Sequence, residues 1–125
     1  MKLYRTLDEL EISGTISELA EIHKSLNSAT ENYSEVFTFD TSGSPEPYKF
    51  LDSTLRVSFS PKSACATFNV NDGVIITGNV ESLKALASFF YFESDSKSGE
   101  HCHWDNACDP EYTAQETLPI VVSVS

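Results

Sequence analysis

The chain has 125 residues, 40% of them hydrophobic and 11% aromatic, enough to bury the core of one ordinary domain. Nineteen acids face eight bases, for a formal net charge of −11, so nucleic acid and anionic membranes are poor direct partners and a basic protein is a good one. Three cysteines, Cys65, Cys102 and Cys108, at irregular spacing do not make a disulfide framework, and no apolar run approaches the roughly 20 residues of a membrane helix.

Met1-Lys-Leu-Tyr-Arg leads directly to Asp8 and Glu9 without the apolar stretch of a secretory signal, so a cytoplasmic location is expected. A first strand is predicted over 7–13 and is broken at Gly14. Thr15 then stands as an N-cap, with Glu18 three residues on as the reciprocal partner of a capping box. The helix that follows runs to about Ser28, with Ile16, Leu19, Ala20, Ile22 and Leu26 on one stripe. His23 lies at the edge of that stripe and reads as a packed histidine. Tyr33, Val36, Phe37 and Phe39 suggest a second strand, and 40–47 (DTSGSPEP) a loop.

Leu55, Val57 and Phe59 alternate as in a half-buried strand. After the turn at Pro61-Lys62, residues 64–70 return as a further strand. Asp72-Gly73 reads as a two-residue hairpin turn of type I′, which needs positive φ at both centres. Val74 to Thr77 is the next strand. Gly78-Asn79 repeats the turn and cap, and a second helix is predicted from Val80 to about Phe92, with Val80, Leu83, Leu86, Ala87 and Phe90 facing the core. His101-Cys-His103-Trp104-Asp105 forms a strand, 106–116 a loop, and Leu118 to Val124 the last strand.

Residues 10–22 recur at 74–86. Leu-Glu-Ile-Ser-Gly-Thr-Ile becomes Val-Ile-Ile-Thr-Gly-Asn-Val, each followed by a leucine-bearing helix. At this offset of 64, residues 33–39 fall on 97–103 and 54–60 on 118–124. The expected fold is therefore α+β: one domain over 1–125, built from internally duplicated β-α-β-β units at about 1–60 and 71–125. An extra strand lies at about 64–70, and two helices pack on one face of a largely antiparallel sheet.

Charge concentrates in the second half. Residues 93–116 hold Glu93, Asp95, Glu100, Asp105, Asp109, Glu111 and Glu116 against Lys97 alone. His101 and His103, two apart on a strand, share a face, and Asp105 continues the alternation. This trio has two readings: a metal- or small-ligand-binding module, or a polar strand face that needs no metal. Cys-x-x-Cys and His-x-x-x-His knuckles, the usual zinc spacings, are both missing, and no metal or other cofactor is expected. No Gly-x-Ser-x-Gly, phosphate-cradling loop or Cys-His-Asn arrangement is present, which argues against an enzyme. Phe89 and Phe92 are read either as aromatic anchors beside the acidic loop or as core residues after an early helix end.

Ile76-Thr77-Gly78, then His101-x-His103-x-Asp105, a loop of about a dozen residues, and Leu118-Pro-Ile-Val-Val122 together resemble a group of small bacterial immunity proteins that accompany polymorphic and contact-dependent toxins. The resemblance covers about residues 74–124. It implies a non-catalytic role, binding a cognate toxin domain. An acidic surface suits basic, nuclease-type toxins. The expected partner surface comprises Glu93, Asp95, Glu100, His101, His103, Asp105, Asp109 and Glu111, with Phe89 and Phe92 as apolar anchors.

Overall fold

The computed structural model describes residues 1–125. Nine strands and two helices follow in the order β1 (Lys2–Arg5), β2 (Leu10–Gly14), α1 (Ile16–Asn27), β3 (Ser34–Thr38), β4 (Phe50–Asp52), β5 (Thr54–Phe59), β6 (Cys65–Asn69), β7 (Gly73–Gly78), α2 (Val80–Ala87), β8 (His101–Trp104) and β9 (Ile120–Val124). The fold is α+β, with mostly antiparallel strands and two helices.

The strands divide into two sheets where one was expected. Sheet A has the order β4-β1-β2-β9-β8, and sheet B the order β3-β5-β7-β6. Each sheet takes an antiparallel pair from each half of the chain and joins them through one parallel pair, β2 with β9 and β5 with β7. The halves thus exchange strands. The first half gives its β1–β2 hairpin to sheet A and its β3–β5 pair to sheet B; the second half does the reverse.

The register shows how the duplication maps. Leu10 pairs with Ile120 as Val74 pairs with Leu55, so β5 corresponds to β9 at an offset of 65. Phe37 pairs with Leu55 as Trp104 pairs with Ile120, so β3 corresponds to β8 at an offset of 67. Ser34–Phe37 is therefore the counterpart of His101–Trp104, and the constant offset of 64 holds only through β2 and α1, repeated as β7 and α2.

Three strands depart from the expected layout. No strand is expected at Lys2–Arg5 or Phe50–Asp52, yet β1 pairs antiparallel with β2 on one side and with β4 on the other. The strand over 64–70 was read as additional, yet β6 pairs with β7 as β1 pairs with β2. It is the repeat counterpart of β1. The β6 edge is in turn bonded by residues 112–118, with Ala64 N–H donating to the Tyr112 carbonyl and Leu118 N–H to the Ala66 carbonyl. That segment stands where β4 stands beside β1.

Local signals explain the element ends. Thr15 Oγ1 accepts from Glu18 N–H at 3.1 Å while a Glu18 carboxylate oxygen accepts from Thr15 N–H at 2.9 Å, the expected capping box. Asn79 caps α2 by accepting from Ser82 N–H at 2.8 Å. α2 ends at Ala87 and continues as a single 3-10 turn over Ser88–Phe90, short of the expected end at Phe92. Ser88 Oγ donates back to the Ala85 carbonyl at that point, which competes with helix continuation. The β6–β7 turn is a loop between paired Asn69 and Gly73, with only the glycine at positive φ (75°). Asn69 Oδ1 accepts from the N–H groups of Asn71 and Asp72, so the turn is built by a side chain rather than by a two-residue type I′ loop. Gly78 is required for close approach: a Cβ there would lie 2.8 Å from Ala64 Cα.

Both sheets bury one face into a single apolar cluster shared with α1 and α2, which pack against each other. Leu3, Leu10, Ile12, Ile120 and Val122 enter it from sheet A, and Leu55, Val57, Ala66, Val74 and Ile76 from sheet B. Trp104 is fully buried, and Cys102, on the same side of β8, is half-buried. Phe89 and Phe92 also pack against this cluster. His23 Nδ1 bonds the Ala87 carbonyl at 2.8 Å, tying α1 to the C-terminal end of α2 at its own repeat counterpart.

Candidate functional site

Alternation along the strands leaves the opposite face of each sheet outward. Read across the pairing register, the central outward row of sheet A is Tyr4–Glu11–Val121–His103, and the next row is Lys2–Ser13–Ser123–His101. The equivalent rows of sheet B are Thr67–Ile75–Arg56–Val36 and Cys65–Thr77–Ser58–Ser34. The duplication supplies the same frame twice, but the two faces carry different chemistry. Sheet A presents a carboxylate, imidazoles, a phenol and the ammonium of Lys2, which donates to the Ser42 carbonyl. Sheet B presents hydroxyls, aliphatic groups and one guanidinium.

Glu9, just before β2, and Tyr48, from the loop between β3 and β4, complete the sheet A face. Together with Glu11, His101, His103 and Ser123 they line a concavity of about 420 Å³. Glu11 is fixed in place: Tyr48 Oη donates to one carboxylate oxygen at 2.8 Å and Ser123 Oγ to the other at 3.3 Å. The Tyr48 ring leans on Tyr4, with ring centroids 5.4 Å apart. Burial, and then the hydrogen bond to Glu11, push the Tyr48 phenol far above its ordinary range, so it stays a donor.

The imidazoles of His101 and His103 meet edge to face, with centroids 5.0 Å apart. His101 Nδ1 lies 3.0 Å from the Gly99 carbonyl. A carbonyl can only accept, so Nδ1 carries the proton and Nε2 is left for another partner. Glu9 has no side-chain partner. The two ion pairs of the molecule lie elsewhere, Met1 amino to Glu18 at 2.9 Å and Arg5 to Asp52 at 2.7 Å. The concavity is thus an acceptor-rich surface with no cation of its own.

Of the residues expected from sequence, His101 and His103 enter this concavity. Asp105 does not join them. Its carboxylate turns into the following loop, accepts from Cys108 N–H at 2.7 Å, and is held below its usual range by that bond. The same carboxylate pushes the exposed Cys108 thiol up. No three His, Cys, Asp or Glu side chains converge closely enough to hold a metal ion.

Glu93, Asp95 and Glu100 are exposed on the segment leading into β8, and Glu100 accepts from Lys97 N–H. Asp109 and Glu111 lie on the segment leaving it. Asp109 is half-buried and is raised by burial and then by Glu111. The acids therefore bracket β8 at both ends. Phe89 and Phe92 are packed inward, and the exposed aromatic of that run is Tyr91, 55% accessible, whose ring lies 5.7 Å from His23. Sequence reading missed Glu9, Glu11, Tyr48 and Ser123. The outward position of Glu11 in an alternating strand was the one available signal. No helix is long and apolar enough to cross a membrane. No protein-family model matches the chain, and neither does any curated protein or solved structure.

Proposed function

We propose that this chain is an immunity protein that binds and neutralises a cognate bacterial toxin domain of basic, nuclease type through its acidic surface. The observation that carries the reading is the outer face of sheet A, where Glu9 and Glu11 stand beside His101, His103 and Tyr48 in a concavity with no neutralising cation. Glu11 is already held by Tyr48 and Ser123, so little ordering is left to be done on binding. A basic partner is drawn in by the net charge of −11 and seated by fixed acceptors, while the exposed acids at both ends of β8 widen the steering field. The face offers acceptors and aromatic edges, as a binding surface does, with no nucleophile paired to a base.

The gene immediately upstream is expected to encode a large secreted protein with a variable C-terminal toxin domain. Co-expression with that domain should restore growth. Reversing Glu9 and Glu11 to Lys together should abolish protection and weaken binding by at least about tenfold, mostly through slower association at low salt. Reversing Glu93, Asp95, Asp109 and Glu111 should slow association further. Unchanged protection and affinity in the Glu9/Glu11 double reversal would refute the assignment of this face. The lack of any protection by the parent chain would refute the function itself.

A further inference from the structure

The sheet A concavity holds its acceptors in a fixed arrangement, and that arrangement distinguishes between cations. Each oxygen of Glu11 already accepts one hydrogen bond, from Tyr48 at 2.8 Å and from Ser123 at 3.3 Å. Held at both oxygens, the carboxylate is not free to turn toward a ligand. Each oxygen keeps an unused lone pair near the carboxylate plane. Two acceptors side by side in one plane match the fork of a guanidinium, which donates two parallel N–H groups to a carboxylate. An ammonium meets them as a point charge, gains little from the plane and is more strongly hydrated.

The other groups of the concavity suit the donors that such a fork leaves over. Glu9 lines the same space, and its side chain makes no hydrogen bond or ion pair of its own. His101 donates from Nδ1 to the Gly99 carbonyl at 3.0 Å, which leaves Nε2 of the neutral imidazole as an acceptor. Val121 and the rings of Tyr48 and His103 complete the wall. An aliphatic stem packs on the first, and a guanidinium stacks on aromatic rings better than an ammonium does. Lys2, in the next outward row, donates to the Ser42 carbonyl and does not line the concavity, so the seat is not filled from within. About 420 Å³ is room for one long side chain with bridging waters.

We infer that the concavity seats one arginine side chain of the partner, its guanidinium paired in plane with Glu11 and its remaining N–H groups on Glu9 and His101, and that lysine does not replace it. This seat lies on the face proposed to hold the basic partner and depends on that reading. Nuclear magnetic resonance of the intact chain tests it without the toxin. The probes are acetyl-arginine amide and acetyl-lysine amide, equal in charge, titrated at constant ionic strength while the imidazole C–H signals of His101 and His103 are followed. The arginine probe should shift both signals saturably, with a Kd of about 1–10 mM for a fragment of this size. It should bind at least about fivefold more tightly than the lysine probe. Glu11→Gln should weaken the arginine probe by about tenfold. Glu9→Gln, at a side chain with no partner to lose, should weaken it by about threefold and covers the case in which the Glu11 variant disturbs the fold. Tyr48→Phe should leave the arginine probe bound but shrink its preference over lysine, because Glu11 is then free to turn.

No saturable shift, equal binding of the two probes, or an affinity that survives both Glu11→Gln and Glu9→Gln overturns the inference. Protection of growth against the toxin is read separately. A chain that protects but shows no preference for arginine loses the seat and keeps the proposed function. A chain that prefers arginine but does not protect keeps the seat and loses that function.

Discussion

Arg5 offers the sharpest test of how the β1–β4 edge of sheet A is held and set against sheet B. Its register places it opposite Leu10, as Phe68 is opposite Val74, so Arg5 and Phe68 are counterparts in the two repeats. They meet: the guanidinium lies 3.5 Å from the Phe68 ring centroid and 4.3 Å from that of Phe50. Arg5 Nε also donates to Asp52 at 2.7 Å and Nη2 to the other oxygen at 3.3 Å, with the two side chains only 9% and 16% accessible. Arg5→Met keeps the apolar stem but leaves the Asp52 carboxylate nearly buried and alone. Breaking a buried pair from one side costs about 3–5 kcal/mol, and the residual exposure here favours the lower end. The lost cation–π contacts add roughly 1 kcal/mol, part of which the methionine sulfur recovers against the two rings. The expected cost is about 3 kcal/mol, or a fall in Tm of roughly 10 °C for a domain of this size. Asp52→Leu should cost a similar amount by stranding the cation. The double variant should be more stable than either single one, because no buried charge remains, with a coupling of roughly 2 kcal/mol or more. Urea unfolding with an unchanged m-value is the assay. A loss below about 1 kcal/mol for Arg5→Met, or simple additivity in the double variant, would refute this account of the nearly buried Arg5–Asp52 pair.

Two further outcomes follow from titration. The Tyr48 phenol is raised in the folded state, so the stability it contributes is fully present below the ordinary tyrosine range and is lost as pH rises through the folded value. In an alkaline near-ultraviolet titration, Tyr48 and Tyr33, both raised first by burial, should ionise late, above the ordinary tyrosine range. Tyr48→Phe should remove one late step; a titration in which that substitution removes no late step would contradict the Tyr48–Glu11 bond. Cys108 is exposed but shifted upward by Asp105, so a thiol reagent near neutral pH should label it more slowly than an ordinary exposed thiol, and Asp105→Asn should speed the reaction. An unchanged rate in that variant would refute the influence of the carboxylate.

What could be read from the sequence was local. The Thr15–Glu18 box and the Asn79 cap lie within three residues of their partners, and the helix stripes repeat within a turn, so both helix starts and their buried faces were legible. The strand partners were not, because pairing is decided by contacts remote along the chain. Nothing in Lys2-Leu-Tyr-Arg marks a strand until β2 and β4 lie on either side of it. The exchange of strands between halves depends on two parallel pairs that leave no local mark. The candidate site fails to appear for the same reason: Tyr48 is 37 residues from Glu11, and Ser123 is 112 residues from it. His101 and His103 were visible because two histidines at strand spacing are conspicuous by themselves. Their carboxylate neighbours come from the other half.

That origin changes where function is to be sought in a duplicated chain. A divergent second repeat invites the view that one copy keeps the scaffold and the other acquires the site. Strand exchange rules out that division here, because the sheet A face takes Tyr4, Glu11 and Tyr48 from the first repeat and Val121, Ser123, His101 and His103 from the second. The second repeat's own hairpin, β6–β7, lies in sheet B beside Arg56 and Val36 of the first. The two faces, rather than the two repeats, are what differ. Substituting Ile75 or Arg56 alters a surface with no acids, and substituting Glu11 or Val121 at the equivalent positions alters the acceptor-rich concavity. The same register position therefore carries a different consequence in each sheet.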